Sequence, residues 1–197
     1  MKKARMLVFL SVFMLLVSVV GLALSDTCAL TIHELPEQGL SVPLPNEFLV
    51  FRRDLPADDP IFAAFGLDAD TVFAYMEQQD LYLDALAYDN SRELFVTVSE
   101  GDDLSFIDMT DEWLTALADF MTAQYVPLGI TVTRHEIYRT ESAAFILMWE
   151  NTATLDGVQC FTTRNGSAIS VTFNTSSAMT DEELAMMYTI LDGVTFN

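Results

Sequence analysis

Apolar positions in this chain change period several times, and each change marks an element. Short apolar or alternating runs between turn residues predict strands over 29–35, 40–44 and 48–52, with Pro36-Glu37-Gln38-Gly39 breaking the first pair. Pro43 and Pro45 confine the second of these strands to an edge or an early exit, because proline cannot donate to a ladder. After an acidic loop ending at Pro60, helical spacing predicts two short helices. One spans 59–65 and stops at Gly66, and the other spans 68–79 with Val72, Phe73 and Met76 at helical spacing. Together they form an insertion between strands. Segments 81–88 and 93–100 alternate in part around Asp89-Asn90-Ser91-Arg92 and read as a hairpin. Segment 110–125 places Trp113, Leu114, Leu117, Phe120 and Met121 on one helical face, and Pro127 and Gly129 end it.

Strands follow over 130–138, 143–150, 158–164 and 167–174. Asp156-Gly157 and Asn165-Gly166 are dipeptides that accept positive φ at tight corners, so these strands are expected to be antiparallel. Thr180-Asp181-Glu182-Glu183 reads as a capping box, opening a last helix that runs to Leu191 and closes at Gly193, with 194–196 as a short tail. No βαβ crossover is present, so the helices must bury their apolar faces on an antiparallel sheet. The fold class is therefore α+β, an antiparallel β-sheet flanked by helices in a layered α/β/α-type sandwich.

One stretch fits neither period. Lys2, Lys3 and Arg5 precede an uncharged run from Met6 to Ser25, and Ala23-Leu24-Ser25 ends it with small residues at the positions a signal peptidase reads. Residues 1–25 are expected to be a signal peptide or, if uncleaved, an N-terminal anchor, and 26–197 a single globular domain. Either way the domain lies outside the cytoplasm, secreted or in the cell envelope. Lipid attachment at Cys28 is disfavoured by the charge of Asp26 just before it.

Beyond residue 25 the chain has no lysine, and six arginines face 29 carboxylates, which leaves a net charge of −23. That excludes nucleic-acid binding, whose affinity comes from Lys and Arg on phosphates, and it disfavours anionic lipid. Membrane contact is expected only through the N-terminal segment, if it is retained. The acidity supplies solubility and suits a basic partner. No acidic cluster has the spacing of a twelve-residue calcium loop.

Cys28 and Cys160 are a candidate disulfide, closing a loop of more than 100 residues and stabilising by about 4–5 kcal/mol in the chain-entropy model. The alternative is two unrelated thiols, with Cys160 buried in a strand. His33 and His135 lie about 100 residues apart without a His-x-x-x-His pair, and no Gly-x-Ser-x-Gly is present. No catalytic, metal or cofactor site is therefore assigned. The insertion combines acids with aromatics, and its residues Asp58, Asp59, Phe62, Phe65, Asp68, Asp70, Phe73 and Tyr75 form the candidate partner surface.

The phrase Leu40-Ser41-Val42-Pro43-Leu44-Pro45-Asn46-Glu47-Phe48, followed by Tyr82-Leu83-Asp84-Ala85, a long middle helix, a hairpin meander and a final Asp/Glu-capped helix, resembles the PsbP/Mog-like superfamily. That group holds PsbP, an extrinsic photosystem subunit, the Mog-type nuclear import factors, and small exported bacterial proteins of uncharacterised function. The resemblance spans 29–197 and implies an antiparallel sheet flanked by helices, in a superfamily whose characterised members mostly bind or chaperone other proteins. It transfers no site. The expectation is an exported, monomeric, non-enzymatic binding or assembly module for an unknown protein or small ligand. The alternative is a metal-dependent or hydrolase-like extracytoplasmic enzyme.

Overall fold

The computed structural model describes residues 29–89, 91–151 and 156–197. The N-terminal segment 1–25 and Cys28, and with them the export signal and the disulfide, lie outside the described residues. Strands β1 (Leu30–Leu35), β2 (Leu40–Pro45) and β10 (Thr195–Phe196) form a three-stranded sheet in the order β1-β2-β10. The larger sheet runs, in spatial order, through β3 (Phe48–Arg52), β4 (Leu81–Ala87), β5 (Arg92–Glu100), β9 (Ser167–Thr175), β8 (Asp156–Arg164), β7 (Ala144–Asn151) and β6 (Thr131–Arg139). Every pairing is antiparallel. Helices α1 (Pro60–Phe65) and α2 (Ala69–Gln78) stand between β3 and β4, α3 (Asp111–Tyr125) between β5 and β6, and α4 (Asp181–Gly193) after β9.

Strand register assigns every side chain of the large sheet to a face. One face carries Leu83, Val96, Val171, Cys160 and Leu147 side by side, all fully buried. They pack against Met187, Ile190 and Leu191 of α4 and against Leu40, Val42 and Leu44 of β2. Each such side chain contributes about 1.5–3 kcal/mol on leaving water. The opposite face carries a row across all seven strands, Phe51, Asp84, Phe95, Thr172, Gln159, Met148 and His135. On this face α1 and α2 cover β3 and β4, while α3 covers β6 and β7. The α+β layered architecture is therefore present, with the small sheet and α4 on one side and three helices on the other.

Three local expectations are corrected. Strand β2 is not an edge: it lies between β1 and β10, because β10 pairs only with Leu40 and Ser41 and never reaches the prolines. The tail 194–196 is consequently a strand. Asp156-Gly157 is not a corner, since both residues are paired within β8. Gly157 lets β8 and β9 approach closely there: a Cβ would lie 2.7 Å from Asn174 Oδ1 and 3.1 Å from the Phe173 carbonyl, so the Asn174 side chain would have to shift. Asn165-Gly166 does form its turn, with φ of 52° and 77°.

Candidate functional site

The insertion turns most of its expected partner surface inward. Phe62 is buried, edge-on to Phe73 at 5.4 Å and tilted against Phe51 at 6.1 Å. Phe65, Phe73 and Tyr75 are half-buried on the same cluster, which also holds Val72 and Met76. Asp59 caps α1 by accepting from Ile61 N at 2.9 Å, and Asp68 caps α2 by accepting from Thr71 N at 3.0 Å and Thr71 Oγ1 at 2.6 Å. Those bonds from Thr71 hold the Asp68 carboxyl below its ordinary value. Asp58 and Asp70 remain as exposed carboxylates. The acids and aromatics that marked this segment thus build two short helices and fasten them to β3 and β4.

Helix α3 does the reverse. Thr110 caps its start by accepting from Trp113 N at 3.3 Å. With about 3.6 residues per turn, Leu114, Ala118, Met121 and Tyr125 form one stripe, which packs on Ala144, Ile146 and Met148. Trp113 and Phe120 do not share that stripe, which corrects the single face expected from spacing. One flank of the helix is tied to β6: Asp111 lies 2.8 Å from Arg139 Nε, and Asp119 lies 3.5 Å from His135 Nε2. Arg139 also donates to the carbonyls of Ile107 and Met109. Since β6 ends the sheet, the opposite flank, carrying Trp113, Leu117 and Phe120, leans toward the sheet's interior strands. Trp113 is 45% and Phe120 63% exposed, and the turn after the helix adds exposed Val126 and Leu128.

Between α2 and α3 the sheet is polar. Thr172 and Ser170 of β9 share a hydrogen bond of 3.2 Å, and Gln159 of β8 accepts from Tyr125 Oη at 2.7 Å. On this face Asp84 and Glu93 are diagonal neighbours, Asp84 opposite Phe95 and Glu93 opposite Leu86. Asp84 is buried, and its Oδ1 has no hydrogen-bond partner among the described residues. Burial raises its carboxyl well above the ordinary value, and the Glu93 charge adds to this. Burial also raises Glu93, opposed by the bond that Asn174 Nδ2 donates to it at 3.1 Å. Tyr75 is pushed up to about 12 by burial and then by the charges of Asp84 and Glu93. The sequence reading missed this pair; its signal was one aspartate inside the apolar run Leu81–Ala87.

The other chemistry-bearing residues stay apart. His33 is half-buried, with its pKa lowered by burial and then by Arg52. Cys160 is a buried thiol, raised by burial and then by Glu136. Among the described residues no three or more His, Cys, Asp or Glu gather to hold a metal, and no helix is long and apolar enough to cross a membrane. A cleft of about 780 Å³ opens between the start of β1 and α4, where Arg92 pairs with Glu47 at 2.8 Å beside Glu182 and Glu183.

An antiparallel sheet covered by helices on one face and by a helix and a small sheet on the other defines a PsbP-like α+β fold. The solution structure of cyanobacterial PsbP (CyanoP) from Synechocystis sp. PCC 6803 matches it with a TM-score of 0.54, over 91% of this chain and 99% of that one. Sequence identity is 12%, so the likeness is one of fold. No protein-family model matches the chain, and no curated protein does.

Proposed function

We propose that this chain is an exported, non-enzymatic binding or assembly module that docks a partner protein along the flank of α3 that carries Trp113 and Phe120. The observation that carries the reading is the pair Trp113 and Phe120, two turns apart on one flank of α3 and both exposed, while half-buried Leu117 between them packs on the core and the β6 flank is held by Asp111 and Asp119. Contiguous exposed apolar surface marks interaction sites, and Trp is the residue type that most often anchors an interface.

The test is a cross-linking pull-down from the native extracytoplasmic fraction, with the full chain and a Trp113→Ala/Phe120→Ala variant of equal melting temperature as baits. Saturable capture of one protein by the unaltered chain, lost in the variant, is expected. Equal capture by both baits would remove α3 as the docking surface. Intact mass of the chain recovered from its host reads out signal cleavage and the state of Cys28.

A further inference from the structure

Among the strands that end a sheet, β6 and β1 differ in how their open sides are protected. β6 carries Arg134, His135, Glu136 and Arg139, has a bulge between Val132 and Arg134, and is flanked by α3. Charges and bulges of this kind discourage edge-to-edge pairing. β1 has no lysine, proline or bulge, and it exposes Ile32 at 66% together with Leu30.

The direction of the β1 backbone groups follows from its partner strand. Asn46 N donates to Ala29 O at 3.1 Å, so Ala29, Thr31, His33 and Leu35 direct their N–H and C=O groups to β2. Leu30, Ile32 and Glu34 alternate with them and aim those groups outward. Pro45 and Pro43 stand opposite Leu30 and Ile32, where no β1–β2 bond is due, which is why β2 tolerates two prolines beside β1. One outward acceptor is engaged, since Arg52 Nη1 donates to the Glu34 carbonyl at 3.3 Å. The open row is therefore Leu30 and Ile32, with the N–H of Glu34.

Charge selects the occupant. Glu34 and Glu37 are exposed carboxylates on this small sheet, and the cleft beside Leu30 adds Glu47, Glu182 and Glu183. The cation in that cleft, Arg92, is already paired with Glu47. A second copy of this chain would set the same acids against one another, whereas a basic strand would be drawn to them. We propose that the outer edge of β1 accepts an extended segment of a partner protein, alternating basic and apolar residues, as an added strand. Main-chain bonds to Leu30 and Ile32 supply affinity, and the surrounding carboxylates supply preference for lysine or arginine.

The experiment titrates the full chain with a fluorescent peptide of alternating lysine and valine, and with its glutamate–valine counterpart, at low and high salt. The lysine peptide is expected to bind at least about tenfold tighter and to weaken with salt. Ile32→Pro removes an outward N–H that β2 does not use, so it should retain the melting temperature while losing the peptide about tenfold or more. Ile32→Lys, a second variant that leaves the backbone free to pair, should weaken binding by charge. Equal binding of both peptides, or unchanged binding by a folded Ile32→Pro variant, overturns the proposal. A dimer of the unaltered chain in sedimentation that Ile32→Pro dissolves would assign the edge to a second copy instead, and would also overturn it.

Discussion

The α1–α2 insertion and helix α3 lie on the same face of the same sheet, at opposite ends, and they use their aromatic residues in opposite senses. In the insertion, Phe62, Phe65, Phe73 and Tyr75 turn toward β3 and β4, and two of the acids are spent as caps. In α3, Leu114 and Ala118 seat the helix together with half-buried Leu117, Met121 and Tyr125, the Asp111–Arg139 ion pair and the Asp119–His135 contact secure one flank, and Trp113 and Phe120 are left outside. The difference teaches that aromatic content does not locate an interface. A short helix must bury large side chains to be held at all, whereas a fifteen-residue helix has a stripe to spare.

The sharpest way to break this comparison is to shorten one phenylalanine on each side. Phe62→Ala is expected to cost about 3–5 kcal/mol in chemical denaturation, the usual range for a buried phenylalanine. Phe120→Ala should stay within about 0.5 kcal/mol while weakening partner capture. Similar losses from the two would mean that α3 buries Phe120 after all.

Next in size is the carboxylate pair beneath the insertion. A folded pKa raised above the unfolded value contributes stability that is complete below the unfolded pKa and disappears as pH rises through the folded one. The melting temperature should therefore fall as pH rises above the ordinary carboxylate range, and Asp84→Asn should flatten that fall. At neutral pH the variant should be the more stable by on the order of 1–3 kcal/mol, because it removes a buried carboxyl whose Oδ1 has no hydrogen-bond partner among the described residues. A melting temperature with the same pH slope in both proteins would show that Asp84 is solvated.

Smaller effects sharpen the contrast between capping and surface pairing. Asp59→Ala should cost about 1 kcal/mol, since α1 is six residues long and begins on that cap. Asp119→Asn, which breaks an exposed contact with His135, should change stability by less than about 0.5 kcal/mol in the same assay. An Asp119 effect as large as that of Asp59 would show that the β6 flank of α3 depends on this contact.

Much of the element order was legible in the chain. The Thr180 capping box forms with both of its bonds, Glu183 N to Thr180 Oγ1 at 3.3 Å and Thr180 N to Glu183 Oε2 at 2.7 Å, because its groups lie within one turn. Asn165-Gly166 makes its turn for the same reason of proximity. The candidate site was less legible. Trp113 and Leu114 are neighbours in sequence and both apolar, yet one is exposed and the other fully buried, and the seating of α3 on β7 and β6 is what separates them.

By itself, the sequence determined what short-range chemistry can fix: alternation and helical spacing, the capping box at Thr180, and the strongly acidic balance beyond residue 25. The tertiary structure alone decided matters that depend on residues far apart in the chain. It separated β1 and β2 into a sheet of their own with β10, set Asp84 diagonal to Glu93 across a hairpin, and brought the Asn174 side chain of the next strand close against Gly157. A hydrophobic period specifies that a face will be buried, but what buries it is chosen only when distant segments compete for the same surface.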